Sequence, residues 1–120
     1  MADILNDDWA RYRQAMATGQ YFEAHEILET PWRETRSIRM HIAIWIAAGF
    51  VHWSRFEYRG TKILFDRVVN YPAASSLPIK DAIDKWADAA THRQPVLSPT
   101  NQQLDALIQW GLLEAPSTGP

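Results

Sequence analysis

Residues 42–51 read IAIWIAAGFV, with His41 before the run and His52 after it. The run is about half the roughly 20 residues that a membrane-spanning helix needs, so it reads as a helix buried in a protein core. Extended outward, the same helical spacing predicts the longest helix of the chain, from about Ser37 to Glu57. Glycine and proline are sparse before Tyr71, and apolar residues there recur at helical rather than alternating spacing. An all-α chain is the consequence.

A first helix is expected to start after Asn6 or Asp7, either of which can cap. It carries Trp9, Tyr12, Ala15 and Met16 on one stripe, and Thr18-Gly19 ends it. A second runs from near Gln20 to about Arg33, with Pro31 bending or tightening its last turn. Arg59-Gly60-Thr61 reads as a break before ILFDRVVNY restores helical spacing as far as Pro72. PAASSLP is loop by composition, and a helix from about Ile79 to Ala90 follows, with Ile83, Trp86 and Ala87 inside. After the loop RQPVLSP, Ser98 reads as a cap with Pro99 in the first helical position. Leu104, Leu107, Ile108 and Leu112 would then face the core, and residues 115–120, APSTGP, read as a frayed tail. The expectation is a compact single-domain bundle of about five to six helices over residues 1–114, built on a central antiparallel helix pair.

Composition bounds the function more loosely. The chain has 120 residues, 47% of them hydrophobic and 22% charged, which suits one soluble globular domain. A net charge of -2 supplies no footprint for a phosphate backbone, so nucleic acid is not an expected partner. No span is long enough for a membrane. The absence of cysteine excludes disulfides, thiolate metal sites and cysteine nucleophiles. MADILNDDWARYRQ shows no basic segment followed by an apolar one, so a cytoplasmic location is the default expectation.

Chemistry-bearing residues gather in YFEAHEILE, residues 21–29. At about 100° per residue, Tyr21, Phe22, Leu28, Glu29 and Trp32 fall within about 60° of His25. His25 and Glu29 therefore lie in an apolar stripe, Glu26 stands at its edge and Glu23 points nearly opposite. A buried carboxylate needs a cation, a metal, hydrogen-bond donors or its own proton, so Glu29 must have an answering group. The next helix aligns His41, Trp45, Ala48, His52 and Phe56 on one stripe. If the two helices form an antiparallel hairpin, Glu29 faces the His41–Trp45 region, and His52 lies nearer Tyr21.

One chemistry competes with a neutralised polar core at this place. His25-Glu26-x-x-Glu29 is the zincin pattern with its last histidine replaced by glutamate. His25 and Glu29 would ligate a divalent metal, His52 or His41 would complete the set, and Glu26 would be the catalytic base. A di-iron bundle needs Glu-x-x-His on two helices, whereas this chain has Phe22-x-x-His25 and Gly49-x-x-His52. No glycine-rich elbow or phosphate loop is present to support nucleophilic serine or nucleotide chemistry.

GQYFEAHEILETPWRE, followed by an apolar helix ending in AAGFVH and then by RG, resembles the small helical family known as domain of unknown function family 309. The resemblance covers about Ala17 to Asn70. It implies an all-helical fold with a polar cluster carried by Tyr21, His25, Glu26, Glu29, Trp32 and His52, and it implies no activity. Trp45 stands where the family pattern has glutamine, His41 replaces another polar position, and Phe56-Glu57 replaces a Gly-Asn turn. The cleft of this member is therefore expected to be bulkier.

Six tryptophans are mostly expected in the core, although Trp53 and Ile27 could serve a homodimer contact. Arg33, Arg36 and Arg39 surround the turn after the second helix, as a solvated cluster or an anion patch. Arg55 and Arg59 either neutralise Glu29 or Glu26 or stand in water. The leading expectation is a cleft formed by Tyr21, His25, Glu26, Glu29, Trp32, Trp45, His52 and Arg55 that binds a small ligand or a partner segment. The alternatives are a metal-dependent hydrolase and a structural homodimer.

Overall fold

The computed structural model describes residues 2–96 and 98–114, with side chains from residue 7 onward. The described chain forms helices α1 (Ala2–Ala17), α2 (Tyr21–Thr35), α3 (Ile38–Ser54), α4 (Tyr58–Asn70), α5 (Lys80–Thr91) and α6 (Asn101–Leu112). A short 3-10 segment, Pro72–Ser76, joins α4 to α5. The expected tail, residues 115–120, lies outside the described residues.

Helix α3 is the centre because its sequence is apolar on nearly every side. Met40, Ile42, Ala43, Ile44, Ile46, Ala47, Gly49 and Phe50 are all buried. It packs between α2 and α4 and also meets α6, while α1 rests on α2 and α6, and α5 rests on α4. The α2–α3 pair is antiparallel: Trp32 meets His41 near the turn, and Tyr21 stacks on Phe50 at the far end. Phe50 also touches Phe65 of α4 and Trp86 of α5 with ring centres 5.3 and 4.9 Å away. Tyr12 of α1 is fully buried and donates its hydroxyl to the Ala43 carbonyl oxygen at 2.8 Å. Burial without a positive neighbour pushes that phenol well above its usual range.

The helix ends follow local chemistry. Ser37 caps α3 by accepting from the Met40 amide. The proline in α2 is tolerated one turn from its end, where the Arg36 amide donates to Trp32 O and the Thr35 hydroxyl donates to Pro31 O. Helix α6 is capped by Thr100, not Ser98: its hydroxyl accepts from the Gln103 amide, and the Gln103 side chain accepts from the Thr100 amide. That reciprocal box outcompetes the Ser98-Pro99 start read from the sequence. Helix α1 begins at Ala2, ahead of the Asn6 and Asp7 caps. Leu112 is exposed, and Trp110 takes the core position expected of it.

The break between α3 and α4 also differs from expectation. Arg59-Gly60-Thr61 lies inside α4, and the interruption is Arg55–Glu57. The Phe56 and Glu57 amides donate to Trp53 O and His52 O, closing a Schellman turn. Phe56 sits at its left-handed position with φ 59°, where glycine is the usual residue. Gly60 serves packing instead, because a Cβ there would stand 2.7 Å from His52 Nδ1. Gly49 does the same for Phe65, whose ring would meet an added Cβ at 2.5 Å.

A left-handed non-glycine residue costs about 1–2 kcal/mol, and the Phe56 side chain is 78% exposed, so it recovers little by packing. Phe56→Gly is therefore expected to raise stability by about 1 kcal/mol, the rest of the gain being offset by greater freedom of the unfolded chain. Urea denaturation measures it. A lower midpoint in the variant would show that the phenyl ring packs more than its exposure implies.

Candidate functional site

On α2 the deepest row is Tyr21, Ala24, Leu28 and Pro31, all buried. His25, Glu29 and Trp32 stand half-buried beside that row, while Glu23 and Glu26 are exposed. The apolar stripe is thus centred one step away from His25, and the charged residues line its flank. Tyr21 belongs to the core: its ring stacks on Phe50 at 5.0 Å and its hydroxyl meets Ser98 Oγ at 3.1 Å.

The answering group for Glu29 comes from the same helix. Arg33 Nη2 donates to Glu29 Oε1 at 2.6 Å, one turn along, so neither Arg55 nor Arg59 is needed; both are exposed. His25 Nδ1 lies 3.8 Å from Glu29 Oε2, too far for a hydrogen bond. That nitrogen is the one buried side-chain polar atom without a partner among the described residues. The His25 ring packs instead against Phe22 at 5.9 Å.

His52 is engaged elsewhere. Its Nδ1 meets Glu57 Oε1 at 2.9 Å, and its ring lies on Gly60 at the start of α4. The geometry therefore brings His25 and Glu29 together and turns His52 away from them. Among the described residues, no group of three or more His, Asp or Glu side chains has an arrangement that could hold a metal ion.

What the fold does assemble is an aromatic stack across three helices. The His41 imidazole lies between two indoles, with ring centres 4.3 Å from Trp32 of α2 and 4.2 Å from Trp45 of α3. The Arg36 guanidinium sits 4.8 Å from the Trp32 ring, and Arg67 of α4 sits 5.5 Å from the Trp45 ring. Tyr71, just after α4, meets Trp45 edge-on at 5.4 Å. Trp32, His41 and Trp45 are half-buried, and Arg36, Arg67 and Tyr71 are exposed, so the stack opens to solvent. The arginines nearby divide clearly: Arg33 is taken by Glu29, and Arg39 donates to Trp110 O and covers the Trp110 ring. Among the described residues, neither Arg36 nor Arg67 has a carboxylate partner.

Arg36, read from the sequence as part of an arginine cluster around the turn, lies over Trp32 as the left-handed cap of α2. Arg67 and Tyr71 were not legible as stack members, because their contact with Trp45 is made between helices. Trp53 and Ile27, read as subunit-contact candidates, both pack half-buried against the core of their own chain. A separate open depression of about 590 Å³ lies between the start of α4 and the end of α5, with Phe56, Arg59 and Arg93 on its wall.

Burial between the indoles holds the His41 pKa below its ordinary 6.5, and the charges of Arg36 and Arg67 push in the same direction. Folding thus favours the neutral imidazole. Its contribution to stability is present above pH 6.5 and is lost as the pH falls below that value. His41→Gln cannot take up a proton, so the fall in urea midpoint between about pH 7.5 and about pH 5.5 is expected to be smaller in the variant than in the wild type. Equal falls would show that His41 titrates alike in the folded and unfolded chains.

Residues 9–64 match the family model described as Domain of unknown function (DUF309). The match starts within α1 and ends within α4, so it includes the Trp32, His41 and Trp45 stack and leaves out Arg67 and Tyr71. No curated protein and no solved structure matches the chain. Among the described residues, no helix is long and apolar enough to cross a membrane.

Proposed function

We propose that the α2–α3–α4 face of this chain, whose residues 9–64 match the domain of unknown function family 309, is a binding surface for a small ligand or a partner segment. The observation that carries the reading is the half-exposed Trp32–His41–Trp45 stack, with ring centres little more than 4 Å apart. Two indoles and an imidazole held in one register bury apolar area while leaving their edges to solvent. They are also fixed by their neighbours, so little side-chain freedom remains to be lost on binding. His25 and Glu29 border the same face from α2.

A ligand present at about 100 times its Kd stabilises the folded chain by about 2.7 kcal/mol, a shift of several degrees for a domain of this size. A thermal-shift screen of small fragments is therefore expected to yield hits that stabilise the wild type and lose most of that effect in Trp45→Leu. Hits indifferent to Trp45→Leu and to Trp32→Leu would sink the reading.

One observation favours a second reading, the metal-dependent hydrolase. The buried, unpartnered His25 Nδ1 lies 3.8 Å from a carboxylate oxygen, so a small rotation would let both side chains face one ion. In that reading Glu26 acts as base, and His52 has to leave Glu57 to serve as third ligand. Elemental analysis of untagged protein prepared without chelator distinguishes the two. Stoichiometric metal that disappears in His25→Ala, with activity lost in Glu26→Gln, would replace the binding reading by this one.

A further inference from the structure

The turns that close α3 and α5 border one open depression of about 590 Å³, together with the first residues of α4. In each turn the residue after the helix cap is left-handed: Phe56 with φ 59° and Arg93 with φ 53°. Glycine is the usual residue there. Here the position holds a large side chain in both turns, and both residues line the depression. Phe56 is 78% exposed and Arg93 is exposed as well, so contacts within the chain do little to offset the strain. Backbone strain that packing does not offset clusters at ligand sites.

The rest of the wall suits an acid that carries a ring. Phe56 and Tyr58 supply aromatic surface, and Arg59, Lys62 and Arg93 set three cations against one carboxylate, Glu57. Glu57 is turned to His52, with Oε1 2.9 Å from Nδ1, and Lys62 is held by Asp66. Among the described residues, neither Arg59 nor Arg93 has a carboxylate partner. Asp88, near the end of α5, lies off the wall and faces His92 at 3.5 Å. Gly60, Ala90 and Thr91 are small and leave room, and the volume falls within the roughly 300–1,000 Å³ of small-molecule sites. The two guanidiniums come from different segments and border the same space, so a molecule that fills it reaches both. A neutral molecule would leave them without a charged acceptor, and a cation would be repelled.

We propose that this depression binds a small aromatic acid, a flat ring bearing a carboxylate or phosphate group, with the ring on Phe56 and Tyr58 and the acid on Arg59 and Arg93. The site lies toward the other end of α4 from Arg67 and does not rest on the aromatic stack.

The test is an NMR titration of the full chain at constant ionic strength, read at the backbone amides of residues 56–62 and 90–93. The probes are benzoate, phenyl phosphate, inorganic phosphate and benzamide. Benzoate or phenyl phosphate should shift these amides, and the tighter of the two names the acidic group preferred. Inorganic phosphate lacks the ring and benzamide lacks the charge, so each should bind at least about tenfold more weakly than the better acid. Arg59→Gln, at an exposed helical position that keeps the fold, should weaken that acid about tenfold, the scale of a charge-assisted hydrogen bond. Phe56→Gly and Arg93→Gly should weaken it too while the urea midpoint holds or rises, because glycine relaxes each turn. Affinity lost without stability lost separates a ligand role from a structural one. Benzamide or inorganic phosphate binding as tightly as the better acid overturns the site. Unchanged affinity in any one of the three variants, or no shift with any probe, overturns it as well. A fragment that docks here is recognised by its loss in Phe56→Gly, so it is not counted against the stack.

Discussion

Phe50 joins the domain together. Its ring is fully buried at the middle of the bundle and touches Tyr21, Phe65 and Trp86, each from a different helix. One side chain of α3 thereby fixes the positions of α2, α4 and α5. Removing such a ring from a packed core costs about 3–5 kcal/mol, a large share of the roughly 5–15 kcal/mol that holds a domain folded. The surface described above depends on that contact, because the stack is built on α3 and on two of the helices it fixes, α2 and α4, on the side of α3 that faces water.

The face is held by contacts of a different kind. Where Phe50 is sealed by hydrocarbon, His41 is enclosed by two indoles and approached by two cations, neither of which has a carboxylate partner among the described residues. Stacking and cation–π attraction each contribute about a kcal/mol, enough to order side chains and too little to hold the fold. The molecule thus combines a sealed core with a half-exposed stack that packs against it and adds smaller contacts.

Much of this was legible in the residues. The apolar run of α3 announced its central place, and the spacing of Trp9, Tyr12, Ala15 and Met16 announced the inner side of α1. Trp32, His41 and Trp45 fell on facing stripes of a helical pair, and the antiparallel hairpin brought them together. The errors share a cause. Gly60 was read as a break because glycine usually marks one, yet its reason lies in the imidazole of another helix. Arg55 and Arg59 were the candidates offered to Glu29, although Arg33, one turn along, reaches it first. Ser98 was preferred over Thr100, whose partner three residues on decides the cap. Long-range packing hid the first, and competition among neighbours hid the other two. Arg67 meets Trp45 only across the α3–α4 interface, so no local pattern reveals it.

The seam between α3 and α4 carries a further implication in Gly49 and Gly60, each of which lies against a ring of the opposite helix. Enlarging either glycine drives a methyl group into that ring. Shrinking the fully buried Phe65 first opens a void, whereas the half-exposed His52 leaves no sealed cavity. At Gly49 and Phe65 an added methyl and a smaller ring offset each other in volume, so their effects are expected to be non-additive. The spacing of α3 and α4 is thus set by two missing side chains, one on each helix, and each helix lends the other the room its own ring needs.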